Sequence, residues 1–387
     1  MEKIKVTHVV GAMNRGGAEV MLMDVFRNMT NDFQFNFLVN YKVKSGIVEG
    51  DFDAEIINKG GEINHIPAQW DIGPIAYLKA FKTFCKTQGL PDIVHIHMNA
   101  KSGVIAMAAK KAGVKTVIVH SHADLKFRGH IVSRLAGTIE LFFQKRLMSK
   151  YGDCFWGCSD EANRSLFLKH LLTKDKSAII NNAIAVEVFQ NIDEEKNKCL
   201  KSKFKITDNT IVLGNIGRVV RHKNVDFIIE VLNELNKKGI DFSFVFAGRD
   251  EQPDYLKEIF QKAEAYNILD RIHFLNVRKD IPELMNAFDA FIGPALKEGF
   301  GLVAVEAQAA GTPCLLYEGF PKTVDMDLGL VNFLSSFEVS EWVDRIVNLP
   351  SRLNDKVKIY RKIREKGFDV QSNVSKIEVL YKNRLNG

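Results

Sequence analysis

Residues 297–313 read KEGFGLVAVEAQAAGTP and set two carboxylates, Glu298 and Glu306, either side of an apolar run opening Gly-Phe-Gly. With AFIGPA before it, the stretch reads as strand, loop and helix. Glu298 then falls in the loop and Glu306 inside the helix. The backbone N–H groups of Gly299, Phe300, Gly301 and Leu302 lie at the helix start, where such groups are unpaired and carry the positive end of the helix dipole. Acceptors for sugar hydroxyls, donors for a phosphate and a carboxylate to grip a ribose diol are what a nucleotide-sugar needs. A Glu at a helix start can also serve the dipole with no ligand.

Two further sets could assist. In NIGRVVRHKNVDFII, Arg218 and Lys223 stand five residues apart between a strand and a helix. Two cations held there could neutralise a diphosphate, and a guanidinium suits bidentate contacts; a solvated loop is the plain alternative. In GAMNRGGAEVMLMDVF, Gly16 and Gly17 end a strand and open a helix, an arrangement that accepts an anion. That turn lacks the Lys-Ser/Thr of a P-loop, and no G-x-G-x-x-G fingerprint is present, so it can equally be mere geometry. Two His-x-His pairs, His95/His97 and His120/His122, each put both rings on one face of a strand. Zinc is conceivable, but no acidic ligand accompanies them, and no metal is expected.

These residues depend on the elements around them. Short β-branched runs alternate with amphipathic segments: KVTHVVGAM, FNFLVNY, DIVHIHM and KTVIVHSH in the first half, then TIVLGNIGRVV, FSFVFAGR, RIHFLNV, AFIGPA and TPCLLYEG. This is the βαβ rhythm of a parallel sheet covered on both faces. It restarts after the polar stretch Gln190 to Asn209. The expected architecture is α/β, with two doubly wound Rossmann-like domains facing across a cleft. They span residues 1–190 and 191–367. Ligands bind such sheets outside the carboxyl ends of the strands, where all three sets of residues fall.

At 387 residues, 46% hydrophobic and 26% charged, the chain is a globular protein with room for two cores. No apolar run is long enough to span a bilayer, and no cleaved signal peptide is expected. Five scattered cysteines fit a reducing cytoplasm. The net charge of +6 favours anionic partners, but little aromatic interleaving argues against nucleic acid. Lys126 to Lys150 mixes basic and apolar residues. It can lie peripherally on the inner face of an anionic membrane or pack as an ordinary surface helix.

Taken in order, the motifs resemble the family-4 retaining glycosyltransferases of GT-B fold, also called group 1 glycosyltransferases, over nearly the whole chain. EGFGLVAVEAQAAGTP is similar to that family's Glu-x7-Glu motif, GRVVRHKNVDFII to its Gly-Arg-x4-Lys donor clamp, and GAMNRGGAEVMLMDVF to its glycine loop. DIVHIH resembles its fourth strand and IINNAIAVEVF its interdomain segment. The resemblance implies metal-independent, cofactor-free transfer from a nucleotide-sugar, a UDP-sugar being the expected donor. The acceptor would be a glycan or lipid-linked precursor of a bacterial capsular or exopolysaccharide. It implies that Arg218 and Lys223 hold the diphosphate, that Gly16 and Gly17 face it across the cleft, and that Glu306 binds the ribose. Glu298 and the Gly299–Leu302 backbone would contact the sugar and distal phosphate, Val277 and Arg278 the base, and His120 the transferred sugar. Domain closure would assemble the site, and, as in similar chains, a C-terminal helix, 368–387, would pack back on the first domain. Glu298 is not expected to be a covalent nucleophile, since retention in the family is ascribed to same-face attack assisted by the leaving phosphate. Asn182 stands where Asn-Gly is customary, and LLYEGFPKTVD replaces Ser-Asp-x-x-Pro-Glu, which leaves the donor-sugar loop open. A non-catalytic partner subunit and a nucleotide-sugar epimerase of the same fold are the alternatives.

Overall fold

The computed structural model describes residues 3–122, 131–192, 195, 202, 204, 207 and 209–386. The polar stretch expected at the domain junction lies largely outside them. Contacts divide the chain into two units, Met1–Ala183 with Val370–Gly387, and Ile184–Asp369. The change of unit falls at 183/184 rather than 190/191. Val186 and Phe189, in the short helix Val186–Gln190, belong to the same buried cluster as Met285 and Ala307 of the second unit.

The first unit is built on seven parallel strands: β1 (Ile4–Val10), β2 (Phe33–Tyr41), β3 (Glu62–Pro67), β4 (Ile93–Ile96), β5 (Thr116–Ser121), β6 (Cys154–Gly157) and β7 (Ser177–Ile179). They lie in the order β3-β2-β1-β4-β5-β6-β7, so the winding reverses between β1 and β4. The two faces differ in chemistry. Val9, Leu38, Val94, Ile96, Val117, Val119 and Phe155 form an apolar face packed with Tyr77, Phe81, Ile105 and Ala109 of the helices Gln69–Gln88 and Ser102–Ala112. Alternation sends His8, His95, His97, His120 and Trp156 to the other face, with Phe35 and Phe37. Phe26 of the helix Gly17–Asn28 and Tyr381 of the helix Val370–Asn386 cover that face, Tyr381 stacking on Trp156 at 5.7 Å between ring centroids.

The second unit has six parallel strands: β8 (Ile211–Ile216), β9 (Phe242–Ala247), β10 (Ile272–Phe274), β11 (Ala290–Gly293), β12 (Cys314–Tyr317) and β13 (Val331–Leu334). Their order is β10-β9-β8-β11-β12-β13, with the reversal between β8 and β11. The helix Val225–Lys237 buries Val225, Phe227, Ile228, Ile229, Val231, Leu232 and Leu235, each contributing roughly 1.5–3 kcal/mol when fully covered. Asn224, left-handed at φ 58°, starts this helix, and Gly239 at φ 70° follows its end, where the Ile240 N–H donates to the Leu235 carbonyl at 3.1 Å. Gly214 lies inside β8 because a Cβ there would come within 2.0 Å of the Phe288 ring packed on the sheet.

Candidate functional site

In the second unit the winding reverses between β8 and β11, and in such sheets a ligand crevice opens outside the carboxyl ends at that point. Two loops follow these strands, 217–224 after β8 and 294–301 after β11. They are tied together. The Leu296 N–H donates to the His222 carbonyl at 2.9 Å, and the Lys223 ammonium pairs with the Glu298 carboxylate, both side chains about 15% exposed. The Lys223 Nζ lies 3.7 Å from where a Cβ on Gly217 would stand, so this cation rests over bare backbone at the strand end.

A third loop follows β12. The Glu298 N–H donates to the Gly319 carbonyl at 2.9 Å, and the Phe320 ring sits beneath Gly301. Gly301 is left-handed at φ 84°, and a Cβ there would approach Phe320 to 2.6 Å, so the turn requires glycine. This turn opens the helix Leu302–Ala309, which has no side-chain cap and no acidic residue in its first turn. Phe300 stacks its ring on Phe368 at 4.8 Å, Gly299 is exposed, and Glu306 is half-buried within the helix. Lys223, Glu298 and the Gly299–Leu302 backbone are therefore brought to one place.

The remaining candidates of this unit are nearby but engaged elsewhere. Arg218 is more than half exposed and donates to Glu251, which follows β9, at 2.9 Å. Beyond β10, Val277 is exposed, while Arg278 makes a bidentate pair with Asp280, Nε to Oδ1 at 2.7 Å. The three strand ends are laced by backbone: Gly217 N–H to Ala247 O at 2.9 Å and Gly248 N–H to Asn276 O at 2.8 Å. A Cβ on Gly248 would fall 1.7 Å from the Gly217 oxygen, the reason for glycine in FSFVFAGR. Glu251, Asp280 and Phe320 were not singled out by motif reading. An acidic residue just after a strand end was the only signal for the first two, and nothing local marks Phe320.

In the first unit, Gly16 caps the helix Gly17–Asn28 and Gly17 is exposed. The position of a Gly16 Cβ lies 2.3 Å from Glu19 Oε2, so a carboxylate of the first turn already occupies the space over this helix end, and burial pushes that carboxyl upward in pKa. The histidines form two hydrogen-bonded rows. In one, Tyr381 Oη lies 2.6 Å from His95 Nδ1, and His95 Nε2 lies 3.1 Å from His120 Nδ1. In the other, His8 Nδ1 is 3.0 Å from His97 Nε2, and His97 Nδ1 is 2.8 Å from His122 Nε2. Burial lowers all five rings, His8 to about 3 and His122 to about 4, and for His95, His97 and His120 neighbouring rings add repulsion.

His120 has no exposed surface, so nothing outside the protein reaches it in this conformation; the half-buried ring on that strand end is His122. The physical cause is cover, since Trp156 and the Tyr381-bearing helix close over the His95–His120 row. One nitrogen from each of His8, His95 and His97, or of His97, His120 and His122, lies within 4.8 Å of the others, a spacing that could hold an ion. The hydrogen bonds already made between the rings account for the clustering without one.

Of the basic segment 126–150, residues 126–130 lie outside the described residues. The helix Ile131–Tyr151 exposes Ile139, Phe142 and Phe143, and Arg146 lies over the Phe142 ring at 4.6 Å. No helix among the described residues is long and apolar enough to cross a membrane.

Two doubly wound parallel sheets, each with a reversal point, are the GT-B architecture, and solved structures share this fold. The glycosyltransferase of Rickettsia africae ESF-5 aligns over all of both chains with TM-score 0.80 at 16% identity. HepE of Anabaena, solved with UDP, aligns over 98% of this chain and 100% of its own with TM-score 0.74 at 17% identity. The chain belongs to the group 1 glycosyltransferases: residues 196–334 match the family Glycosyl transferases group 1, and residues 45–182 match the Glycosyl transferase 4-like domain. EpsF of Bacillus subtilis is 31% identical over 97% of this chain and 96% of its own. The UDP-Gal:alpha-D-GlcNAc-diphosphoundecaprenol alpha-1,3-galactosyltransferase of Escherichia coli is 28% identical, covering 75% of each chain.

Proposed function

We propose that this glycosyltransferase moves a sugar from a UDP-sugar, with retention and without a metal, to a glycan or lipid-linked acceptor in cell-surface polysaccharide synthesis. The observation that carries the reading is the meeting of Lys223, Glu298 and the Gly301-led helix start at the reversal point of the second sheet. In this reading the leaving group is the diphosphate. Lys223 and the N–H groups of Gly299–Leu302 meet the charge that grows on it as the glycosidic bond breaks, and Arg218 swings from Glu251 to join them. These fixed positive groups do the work that a divalent cation does elsewhere. Glu298 accepts from sugar hydroxyls, Glu306 from the ribose diol, and Val277 and Arg278 flank the base. The E. coli relative's UDP-Gal donor and diphosphoundecaprenol acceptor, and the UDP bound to HepE, support the choice of donor and acceptor class.

The test is a melting-temperature screen against UDP-, GDP- and ADP-sugars, followed by an assay of UDP release with and without acceptor. A UDP-sugar at 100 times its Kd should add about 2.7 kcal/mol to the native state. Glu306→Ala should remove most of that shift, and an unchanged shift would refute the role of Glu306. Conversion of the donor without acceptor would identify an epimerase instead.

The exposed Ile139, Phe142 and Phe143 beside Arg146 suit peripheral binding at the inner face of a membrane, where a lipid-linked acceptor resides. Sedimentation with vesicles containing anionic lipid should carry the protein down, and the Phe142→Ser/Phe143→Ser double variant should remain in the supernatant. Equal sedimentation of both proteins would rule out this face.

A further inference from the structure

The helix Leu302–Ala309 has eight residues and is about 12 Å long, so whatever holds its far end also aims the N–H groups at its start. Its buried side chains are Ala304, Val305, Ala307, Gln308 and Ala309, mostly small groups that offer little apolar area to lock a position. Placement therefore falls to polar anchors. One is Gln308, whose Oε1 accepts from the Met326 N–H at 2.9 Å and whose Nε2 donates to the Val324 carbonyl at 2.8 Å. The other is Arg352.

The Arg352 side chain is part-buried, and its hydrogen bonds all go to amide oxygens. Nη1 donates to the carbonyl of Ala310, the residue that caps Leu302–Ala309, at 2.6 Å. Nη2 donates to the carbonyls of Phe288 at 2.6 Å and Asn286 at 3.0 Å, at the end of the helix Ile281–Ala287. Carbonyls at the carboxyl end of a helix lack an intrahelical partner and carry the negative end of its dipole. One cation thus closes two helix ends and ties them to each other. Burial pulls the guanidinium down in pKa and Asp289 opposes that, while the carbonyls replace the water it has lost.

Both sides of the clamp are seated. The Leu353 N–H donates to the Gly311 carbonyl at 3.0 Å, and a Cβ on Gly311, left-handed at φ 75°, would fall 2.1 Å from the Leu353 oxygen. On the other side, Asn286 Nδ2 donates to the Phe189 carbonyl at 2.8 Å and fixes Ile281–Ala287 against the helix Val186–Gln190. Only the fork of a guanidinium spans the two ends; an ammonium is a point charge that serves one.

We propose that Arg352 is a positioning residue of the donor site: by clamping the carboxyl ends of Ile281–Ala287 and Leu302–Ala309, it aims the Gly299–Leu302 N–H groups at the diphosphate. The inference rests on the transferase reading in naming the diphosphate.

The test compares Arg352→Lys, which keeps the charge but loses the fork, with Val343→Ala, which opens a cavity in the separate apolar cluster beside the helix Val339–Val347. In hydrogen exchange of the full chain without ligand, amides of residues 297–311 should exchange about tenfold faster in Arg352→Lys and close to the wild-type rate in Val343→Ala. Calorimetric titration with UDP should show Kd raised about tenfold in Arg352→Lys alone. Unchanged exchange in Arg352→Lys, equal acceleration in both variants, or wild-type UDP affinity in Arg352→Lys overturns the proposal. Should Arg352→Lys fail to fold, the wild type decides: UDP at the helix start should slow exchange at Gly311 and Leu353 at the other end, and unchanged rates there would overturn the clamp. Faster exchange in Arg352→Lys, with no UDP binding by the wild type, would refute the donor reading and leave the clamp standing.

Discussion

Lys223 and Glu298 neutralise each other at the mouth of the second sheet, and their mutual dependence can be separated from ligand binding. Lys223→Met leaves a mostly covered carboxylate without its cation and should cost about 1–3 kcal/mol of stability. Lys223→Met/Glu298→Gln removes the orphaned charge and should recover most of that loss, yet the UDP-sugar shift should stay absent in both proteins. Thermal melts with and without donor check this; a double variant as unstable as the single one would show that the pair is not the source of the cost. At this scale Lys223, Glu298 and Gly301, which the motifs named, lie together because all three sit in two short loops whose backbone is set locally. Arg218 and Arg278 were harder to read, because their partners Glu251 and Asp280 depend on where other strand ends fall.

The histidine face behaves as an element with one shared property. His8, His95, His97 and His120 are buried, and burial holds each below its ordinary pKa. When the chain unfolds they return to about 6.5. Below that pH the unfolded chain binds more protons than the folded one, so stability falls as pH falls. Each ring that stays neutral in the fold costs about 1.4 kcal/mol per pH unit below 6.5, and four rings make a loss on the order of 5 kcal/mol by pH 5.5. Urea melts at pH 7.5, 6.5 and 5.5 should show a modest fall over the first interval and one about three times larger over the second. A flat profile would mean that the rings take up protons in the fold.

At the scale of the molecule, the last helix determines the state of the first unit. Val370–Asn386 brings Tyr381 to His95 at 2.6 Å, Lys382 to Asp32 at 2.6 Å and Asn373 to the Asn181 carbonyl at 2.6 Å. Deleting residues 370–387 uncovers Trp156 and the histidine rows, a loss of packing far larger than any single side chain. The first unit should then be digested by protease while a fragment near 184–369 survives. A truncated protein as resistant as the full chain would show that the helix is dispensable.

Sequence by itself determined the parallel α/β rhythm, the restart of that rhythm in a second sheet, and the loops that carry the charged motifs. Each of these follows from short-range physics: side-chain alternation, helix periodicity and the φ angles that only glycine or asparagine tolerates. The strands it passed over, β3, β6, β7 and β13, lie at or next to sheet edges, where pairing with a neighbour rather than internal patterning holds them. Only the tertiary structure decided that His120 is sealed and His122 is the outer ring. Both point the same way from their strand, and the cover that distinguishes them comes from Tyr381, whose partner His95 lies 286 residues earlier in the chain.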